Sequence, residues 1–160
     1  MSITMGIGYD CHQLAPGRPL VLGGVRLEHR QGLLGHSDAD VLTHAVIDAL
    51  LGAAGLGDIG EHFPDTDPRY AGADSLELLR AALTLLAGAG CVLRHVDVTV
   101  VIERPKLAPV RAEIRAKLAE RLELDPAHVN IKATRGEGMG FIGREEGAAA
   151  LAVATVEHRS

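Results

Sequence analysis

A near absence of aromatic side chains is the feature that most constrains how this chain can fold. Its 160 residues include two Phe, two Tyr and no Trp, although 47% of them are hydrophobic. A core must therefore consist of Leu, Val, Ile and Ala, whose small side chains suit close packing of helices on a sheet and contacts between subunits. The length fits a single domain, residues 1–160, that can bury such a core without disulfides.

Hydrophobic periodicity predicts strands and helices that alternate along the chain. Predicted strands cover residues 3–9, 92–103 and 129–134, and predicted helices cover residues 38–51, 75–87 and 107–122. Gly23-Gly24 between two short apolar runs is typical of a hairpin. Residues 148–156 fit either a helix or a strand, and residues 52–73 form a long loop of a kind that is usually functional or mobile. The pattern predicts an α+β fold, a small mixed sheet with helices packed on one face.

Composition and charge argue against several classes of partner. The net charge is −5 and no basic block or aromatic-interleaved basic stripe occurs, so a nucleic-acid partner is not expected. No apolar stretch approaches the ~20 residues of a membrane span, and the N-terminus lacks the pattern of a secretory leader. Cys11 and Cys91 are too few for a disulfide framework, which favours a cytoplasmic location. Cys11 itself is expected to be a small buried hydrophobic residue.

Asp10, His12 and His44 form a candidate metal site. Asp10 and His12 close the first predicted strand, and residues i and i+2 of a strand point to the same face. His44 lies on the first predicted helix, where Asp48 follows one turn later and either orients the imidazole or faces solvent. One carboxylate and two imidazoles are a ligand set that suits a catalytic zinc with an open fourth position. Taken alone, the Asp-x-His pair also fits a simple hydrogen bond at a strand end.

The stretch that begins at His36 is a candidate phosphate site. It follows a turn-rich segment, residues 32–36, and leads into the first predicted helix, with Ser37 or Asp38 as the expected N-cap. Free backbone N–H groups at a helix N-terminus bind anions, and His36 could add a hydrogen bond to a phosphate oxygen. The alternative is an ordinary cap beside a surface histidine. Ser75 is the expected cap of the second helix.

Further polar segments could contact a substrate. Residues 57–60 and 63–68 place carboxylates on a loop, where they could accept hydrogen bonds from polyol hydroxyls, although the same residues are good turn formers. Pro105-Lys106 and residues 132–137 offer cations, a hydroxyl, backbone N–H groups and a carboxylate, which suits phosphate and a metal ion. The alternative is a polar loop with solvated charges.

Six motifs carry a resemblance to a known family. They are Gly8-Tyr9-Asp10-Cys11-His12, Gly23-Gly24-Val25, Gly35-His36-Ser37-Asp38-Ala39-Asp40-Val41, Gly57-Asp58-Ile59-Gly60, Phe63-Pro64-Asp65-Thr66-Asp67-Pro68 and Gly140-Phe141-Ile142-Gly143-Arg144. With this order and spacing, the chain resembles the family of 2-C-methyl-D-erythritol 2,4-cyclodiphosphate synthases from about residue 5 to residue 156. Members of that family are phosphorus–oxygen lyases of the non-mevalonate isoprenoid route.

The resemblance implies a homotrimer around a central axis, with active sites between adjacent subunits. It implies Zn²⁺ on Asp10, His12 and His44, and a second ion, Mg²⁺ or Mn²⁺, that bridges the substrate diphosphate and is met by Glu137. The implied substrate is 4-diphosphocytidyl-2-C-methyl-D-erythritol 2-phosphate, whose 2-phosphate attacks the β-phosphate so that CMP leaves. Such a reaction needs positioning and charge neutralisation rather than a nucleophile from the protein.

The same resemblance implies a set of substrate contacts. They are expected at Asp10, His12, His36, Ser37, Asp58, Ile59, Gly60, Phe63, Pro64, Asp65, Thr66, Asp67, Pro105, Lys106, Ala133, Thr134, Arg135, Gly136, Glu137, Phe141 and Arg144. The polyol and its phosphates are expected to meet His36, Ser37, residues 58–60 and residues 63–67. Pro105, Lys106, Ala133 and Thr134 are expected to meet the cytidine from the neighbouring subunit.

One departure from the family pattern concerns catalysis. The family usually has Lys-Ala-Thr-Thr-Thr-Glu where residues 132–137 of this chain are Lys-Ala-Thr-Arg-Gly-Glu. The middle Thr, credited with stabilising the transition state, is therefore replaced by Arg135. An arginine can also neutralise charge on a transferring phosphoryl group, so His36 and Arg135 are expected to act in catalysis.

Phe141 and Arg144 belong to a region that lines a cavity on the trimer axis in the resembling family. An arginine there can hold the diphosphate of an isoprenoid, and three symmetry-related guanidinium groups would form a strong diphosphate site. The alternative is that Arg144 pairs with Glu146 across subunits and fastens the trimer.

Two other functions fit the same residues. One is a noncatalytic zinc-stabilised trimer that binds a nucleotide or an isoprenoid phosphate. The other is a zinc-dependent phosphoesterase that uses water as the nucleophile.

Overall fold

A five-stranded mixed sheet is the frame of the molecule in a computed structural model that describes residues 1–159. The strands are β1 (Ser2–Pro16), β2 (Leu20–Leu22), β3 (Val25–Leu27), β4 (Gln31–Leu34), β5 (Cys91–Val101), β6 (Val129–Thr134) and β7 (Gly147–His158). The order across the sheet is β4-β1-β7-β5-β6, where β5 and β6 run parallel and the other neighbours are antiparallel. The remaining two strands, β2 and β3, form a separate hairpin.

Helices cover one face of this sheet. They are α1 (Val41–Ala54), α2 (Ile59–His62), α3 (Ser75–Gly88), α4 (Arg111–Leu122) and α5 (Gly140–Gly143), with 3₁₀ turns at Pro68–Tyr70 and Pro126–His128. The first helix, α1, lies on β1 and β7, α3 packs beside it, and α4 contacts β6. The α+β fold with a mixed sheet and helices on one face is therefore as predicted.

Small residues allow α1 to lie very close to β1. A Cβ atom at Gly8 would overlap the carbonyl oxygen of Ala45 and lie 2.8 Å from the nitrogen of Ala49, and a Cβ at Gly6 would overlap the Ala49 carbonyl. The buried hydrophobic residues are Leu, Val, Ile and Ala together with Cys91. The aliphatic core and close helix-on-sheet packing that the composition predicts are confirmed.

The opposite face of the sheet carries exposed apolar side chains. On β1 these are Ile3, Met5, Ile7 and Tyr9, with 53–73% of each residue exposed. Leu151 and Val153 of β7 lie directly opposite Tyr9 and Ile7 in the antiparallel register and are also exposed. The exposed side chains thus form one continuous patch across two strands.

Some strand predictions were wrong in extent. Asp10 and His12 lie in the middle of β1 rather than at its end, because residues 13–16 continue the strand by pairing with β4. The turn-like segment 32–36 contributes to β4, where Gly32 is needed because a side chain would strike the backbone of Arg18 and Pro19. Residues 148–156 are part of β7, and their alternate alanines Ala148, Ala150, Ala152 and Ala154 face α1.

The predicted helix starts also required correction. The helix predicted from residue 38 begins at Val41, because Ala39 is in the left-handed region at φ 56°, and its cap is Asp40 rather than Ser37 or Asp38. The helix predicted from residue 75 is α3, and its cap is Asp74 rather than Ser75. The helix predicted from residue 107 begins at Arg111, since Pro109 disfavours helical backbone in the residue before it.

Two further observations concern exposure and partners. Cys11 is exposed rather than buried, because it points away from α1 on the uncovered face. Within residues 1–159, no helix is long and apolar enough to cross a membrane. The cytoplasmic location and the lack of a nucleic-acid partner stay predictions.

We expect Gly8→Ala to lower the free energy of unfolding by about 3 kcal/mol, because the added methyl group must push α1 away from β1. Urea denaturation followed by circular dichroism measures the change. Gly88→Ala is the matched control, since a Cβ there meets open space, and it should change stability by less than about 1 kcal/mol. Equal effects in the two variants would contradict this account of the packing.

Candidate metal centre and nucleotide pocket

The carboxylate of Asp40 fixes the start of α1. Asp40 is fully buried, and its two oxygens accept hydrogen bonds from the backbone nitrogens of Gly23, Gly24 and Thr43 and from the Thr43 hydroxyl, at 2.8–3.0 Å. Gly23 and Gly24 have φ of 59° and 74°, as the predicted two-residue hairpin turn requires. Burial raises the pKa of Asp40, and the backbone hydrogen bonds oppose that rise. The turn, the helix start and therefore His44 are held in one position.

Three ligand atoms converge between β1 and α1. The Asp10 Oδ2 atom lies 2.8 Å from His12 Nε2 and 3.2 Å from His44 Nδ1, and the two nitrogens are 3.3 Å apart. The same-face prediction for Asp10 and His12 is confirmed, and His44 reaches them from the facing helix. One oxygen and two nitrogens at this separation form a group that could hold a metal ion.

Hydrogen bonds behind each histidine select the form that a metal needs. His12 Nδ1 lies 3.0 Å from the Leu34 carbonyl oxygen, which can only accept, so this nitrogen carries the proton. In the neutral ring, Nε2 then presents a lone pair to the site. The edge strand β4, which supplies Leu34, was not predicted from the sequence, so this contact was missed.

His44 is oriented by a relay that crosses to α3. Ser75 Oγ donates to the Asp38 carboxylate, so it must accept from His44 Nε2–H at 2.8 Å. Ser37 Oγ lies 3.1 Å from the same nitrogen. His44 Nδ1 therefore faces Asp10 with its lone pair in the neutral ring. Metal-bound histidines commonly have such an outer partner, and the donor set fits a zinc ion.

The sequence offered Asp48 as a residue that orients His44, but in the structure Asp48 contacts the start of α2 instead. Its Oδ1 atom accepts a hydrogen bond from the Ile59 nitrogen at 2.7 Å and so anchors the start of α2. Burial raises the pKa of Asp48, although the Ile59 hydrogen bond opposes the rise. The outer partner of His44 is Ser75, whose only sequence signal was its position at the start of a helix.

Charge in the group is shared between the carboxylate and the imidazoles. Burial disfavours the ionised Asp10, but hydrogen bonds from His12 and His44 outweigh burial and hold the pKa of Asp10 below its ordinary value. Burial likewise disfavours a charged His12, and its hydrogen bond to Asp10 raises the pKa of His12 in spite of it. Without a metal ion, each of these hydrogen bonds needs a proton on the imidazole nitrogen that faces Asp10, and a bound cation would take the place of that proton.

His36 and Ser37 lie before α1 rather than at its N-terminus. Val41, Leu42 and Thr43 of the first turn of α1 are buried, and the Thr43 nitrogen already donates to Asp40, so a phosphate site at this helix N-terminus stays a prediction. His36 is exposed, and its Nε2 lies 3.2 Å from the Asp67 carbonyl oxygen. This contact joins His36 to the loop of residues 63–67.

That loop is ordered by its own side chains. Asp58 caps α2 by accepting from the Glu61 nitrogen at 3.0 Å, and Phe63 packs edge-on against Tyr70 with ring centroids 5.5 Å apart. Asp67 caps the following 3₁₀ turn and pairs with Arg69 at 2.6 Å. The turn-forming interpretation of these carboxylates is therefore confirmed for Asp58 and Asp67, while Asp65 and Thr66 are exposed.

A cavity of about 190 Å³ lies at the ends of β5 and β6. Residues of both predicted segments line it: Pro105, Lys106, Ala133, Thr134 and Arg135. Glu103, which sequence reasoning missed, is nearly buried and accepts from the Gly136 nitrogen at 2.8 Å and from the Arg135 guanidinium at 3.3 Å. It thereby fixes the loop that follows β6. We call this the nucleotide-sized cavity.

The metal group and this cavity lie at the same level of the sheet. Asp10 is opposite Ala150, Ala150 is opposite Val100, and Val100 is opposite Ala133. Three strand spacings separate β1 from β6, or about 14 Å. One chain therefore does not bring the two groups into a single cavity.

The remaining predicted residues lie around α5. Glu137 is exposed, with its backbone in the left-handed region at φ 53°, and Phe141 is also exposed. Arg144 pairs with Glu146 of the same chain at 2.8 Å, and the Glu146 carboxylate raises the pKa of Arg144. The pairing predicted across subunits is thus formed within one subunit.

The chain is similar over nearly its whole length to proteins of one family. The YgbB family matches residues 3–157. The chain is 58% identical over 157 residues to the 2-C-methyl-D-erythritol 2,4-cyclodiphosphate synthase of Symbiobacterium thermophilum, covering 98% of this chain and 100% of that protein. It is 60% identical over 152 residues to the bifunctional enzyme IspD/IspF of Anaeromyxobacter dehalogenans, covering 95% of this chain but 39% of that protein. The chain thus spans about two fifths of the bifunctional relative.

Solved structures give the same result. The bifunctional IspDF from Campylobacter jejuni superimposes with a TM-score of 0.95 at 43% identity, over 99% of this chain and 43% of that one. A 2C-methyl-D-erythritol-2,4-cyclodiphosphate synthase in a CDP-bound form superimposes with a TM-score of 0.88 at 38% identity, over 96% of this chain and 99% of that one. The chain therefore belongs to the YgbB family, that of the 2-C-methyl-D-erythritol 2,4-cyclodiphosphate synthases.

Proposed function

We propose that this chain converts 4-diphosphocytidyl-2-C-methyl-D-erythritol 2-phosphate into 2-C-methyl-D-erythritol 2,4-cyclodiphosphate and CMP. The observation that carries the proposal is the convergence of Asp10, His12 and His44, with both imidazoles oriented so that one ring nitrogen of each faces Asp10. The identity to the Symbiobacterium synthase over that protein's full length supports it. The enzyme would be a lyase of the non-mevalonate isoprenoid route.

The substrate supplies its own nucleophile in this reaction. An oxygen of the 2-phosphate forms a bond to the β-phosphorus, the bond from that phosphorus to the bridging oxygen breaks, and CMP leaves with the electron pair. The protein therefore has to position two phosphates and to neutralise the charge that collects between them. Both tasks suit a site built from a metal group, a guanidinium and loop hydrogen-bond donors.

Asp10, His12 and His44 would hold Zn²⁺ through Oδ2, Nε2 and Nδ1. Three protein ligands are the number found in catalytic zinc sites, which keep a further position for a substrate oxygen. When bound, the ion would neutralise charge on a phosphate oxygen as a Lewis acid. Glu137, exposed beside the nucleotide-sized cavity, is the residue we propose for Mg²⁺ or Mn²⁺.

Arg135 is proposed to replace the hydroxyl that the family usually has at this position. Its guanidinium is about half exposed, and a single nitrogen contacts Glu103 at 3.3 Å. A guanidinium has five N–H donors, so most of them remain for a phosphate oxygen. Glu103 would hold Arg135 at the wall of the cavity, and His36 would hydrogen-bond to the other phosphate from its loop.

The nucleotide-sized cavity is proposed to take the cytidine. Pro105, Lys106, Ala133 and Thr134 line it, and a related synthase is known in a CDP-bound form. The polyol phosphate would lie between His36, Ser37 and the loops that contain residues 58–60 and 63–67. Within one chain, the metal group and the nucleotide-sized cavity are three strand spacings apart. The cytidine of a given substrate would therefore be held by the neighbouring subunit.

A homotrimer would also cover the exposed apolar patch on β1 and β7. Ile3, Met5, Ile7 and Tyr9 are too large and too exposed as a group for a free sheet face. Burial against two further copies of the same sheet would remove these side chains from water. Such burial stabilises an assembly by about 25 cal/mol for each Å² of apolar surface buried. Phe141 and Arg144, both exposed near the start of β7, are proposed to meet an isoprenoid diphosphate on the axis of that trimer.

Zinc retention tests the metal group. We expect His12→Ala to lose zinc, and Ser75→Ala to bind it about 10- to 100-fold more weakly, because His44 loses its outer partner. Elemental analysis and chelator competition measure the two effects. Thr84→Ala removes an exposed hydroxyl from the same helix and should bind zinc as the wild type does. Normal zinc content in His12→Ala would rule out the site.

Turnover tests the proposed reaction and the role of Arg135. With the cytidyl substrate, Zn²⁺ and Mg²⁺, phosphorus NMR should show the cyclic diphosphate and CMP. Arg135→Gln should lower kcat about 100-fold, because one donor to the developing charge is lost, and Arg121→Gln on the outer face of α4 should not. A linear diphosphate would favour a phosphoesterase instead. Nucleotide binding without turnover would favour a noncatalytic protein.

Light scattering tests the assembly. The wild type should have three times the mass of the 16.8 kDa chain, and Ile7→Glu should dissociate it, because a carboxylate would enter the covered patch. Leu85→Glu changes an exposed leucine on α3, away from the patch, and should remain trimeric. A monomeric wild type would contradict the trimer and the shared active site.

A further inference from the structure

A second, larger cavity lies beside the nucleotide-sized cavity and shares Glu103, Pro105, Lys106 and Arg135 with it. Its volume is about 740 Å³, within the range of sites for small molecules. Segments far apart in sequence meet there: the connection from β3 to β4, the segment after β5, and the connection from α5 to β7. We call it the arginine cavity.

Cations outnumber anions around this cavity. Arg30, Arg104, Lys106 and Arg135 line it, against the carboxylates of Glu103 and Glu145. With each group in its usual ionisation state, the wall carries an excess of two positive charges. Such an excess in a concave site attracts anions and raises their local concentration.

Both carboxylates are already engaged with the cations. Glu145 lies 2.9 Å from the guanidinium of Arg30 and 3.3 Å from that of Arg104, so it holds two arginines side by side. Each arginine contacts it through a single nitrogen, which leaves further N–H donors on both planes. Paired guanidinium groups with free donors match the oxygens of a phosphate.

Glu145 occupies a position that a glycine would ordinarily fill. It lies two residues after α5 with φ at 57°, in the left-handed region that helix ends usually assign to glycine. A side chain is strained in that region because its Cβ atom comes close to the following carbonyl oxygen. Its carboxylate makes two ion pairs, with Arg30 and Arg104, that a glycine could not make.

His29 is the one imidazole among the residues that line the cavity. Its Nε2 atom is buried with no hydrogen-bond partner in the described part of the chain. Such atoms in native proteins normally bind water or a ligand.

We propose that the arginine cavity binds a small phosphate or diphosphate anion, at a site separate from the nucleotide. Arg30 and Arg104 would each give N–H donors to its oxygens, and Glu145 would hold the two arginines beside each other. These two arginines do not line the nucleotide-sized cavity, whereas Lys106 and Arg135 line both. Substitution of Arg30 or Arg104 therefore tests the arginine cavity without removing a side chain from the nucleotide-sized cavity.

Calorimetry with inorganic pyrophosphate tests the proposal, in Mg²⁺-free buffer and with CDP at saturation. The wild type should bind pyrophosphate, and Arg30→Gln and Arg104→Gln should each weaken binding about tenfold or more, the loss of one charge-assisted hydrogen bond. Arg121→Gln, on α4 outside the cavity, is the matched control and should bind as the wild type does. Thermal unfolding checks that each variant is folded.

Failure of the anion-site proposal can be distinguished from failure of the proposed synthase reaction. Both cavity variants should bind CDP and turn over substrate within about twofold of the wild type, because they lie outside the nucleotide-sized cavity. Pyrophosphate binding that is absent, that CDP abolishes, or that is equal in all variants would overturn the anion site. Loss of turnover in the wild type would bear on the synthase proposal alone.

Discussion

The buried carboxylate of Asp40 is the interaction on which the arrangement of the metal group depends. It accepts hydrogen bonds both from the turn between β2 and β3 and from the first turn of α1, so one anion joins the hairpin to the helix. An ion away from water is costly unless its oxygens are hydrogen-bonded, and here each oxygen has two donors. Because Asp40 cannot shift without losing several of these bonds at once, Thr43 and the adjacent His44 are fixed relative to the sheet.

Small residues supply the second constraint. Gly6 and Gly8 allow the backbone of α1 to approach β1 closely enough for an imidazole on the helix to reach a carboxylate on the strand. A strand of larger residues would hold the helix farther away and separate the ligand atoms. The scarcity of aromatic side chains thus has a direct consequence at the site, because a core of Ala, Val and Leu places the two layers at the distance that Asp10 and His44 require.

Sequence periodicity predicted the structural features that depend on residues close together in the sequence. Asp10 and His12 share a face because strand residues alternate, and β6 was predicted with its observed bounds for the same reason. Contacts between distant segments were not predicted. Ser75 reaches His44 across 31 residues, and Arg30 meets Glu145 across 115, and no local pattern specifies either pairing. The start of α1 was predicted three residues early, because Ser37 and Asp38 resemble caps and the left-handed backbone of Ala39 leaves no signal in composition.

The position of β7 affects how the chain folds during synthesis as well as its final structure. β1 and β5 are not neighbours, and each pairs with β7 along most of its length. The sheet therefore cannot close until residues 147–158 have left the ribosome, and until then α1 has only part of the surface that buries it. Nearly every pairing in the sheet joins residues far apart in sequence, which slows folding and leaves apolar strand edges exposed to aggregation. A nascent chain of this protein therefore exposes apolar surface of β1, β5 and α1 until its central strand is complete.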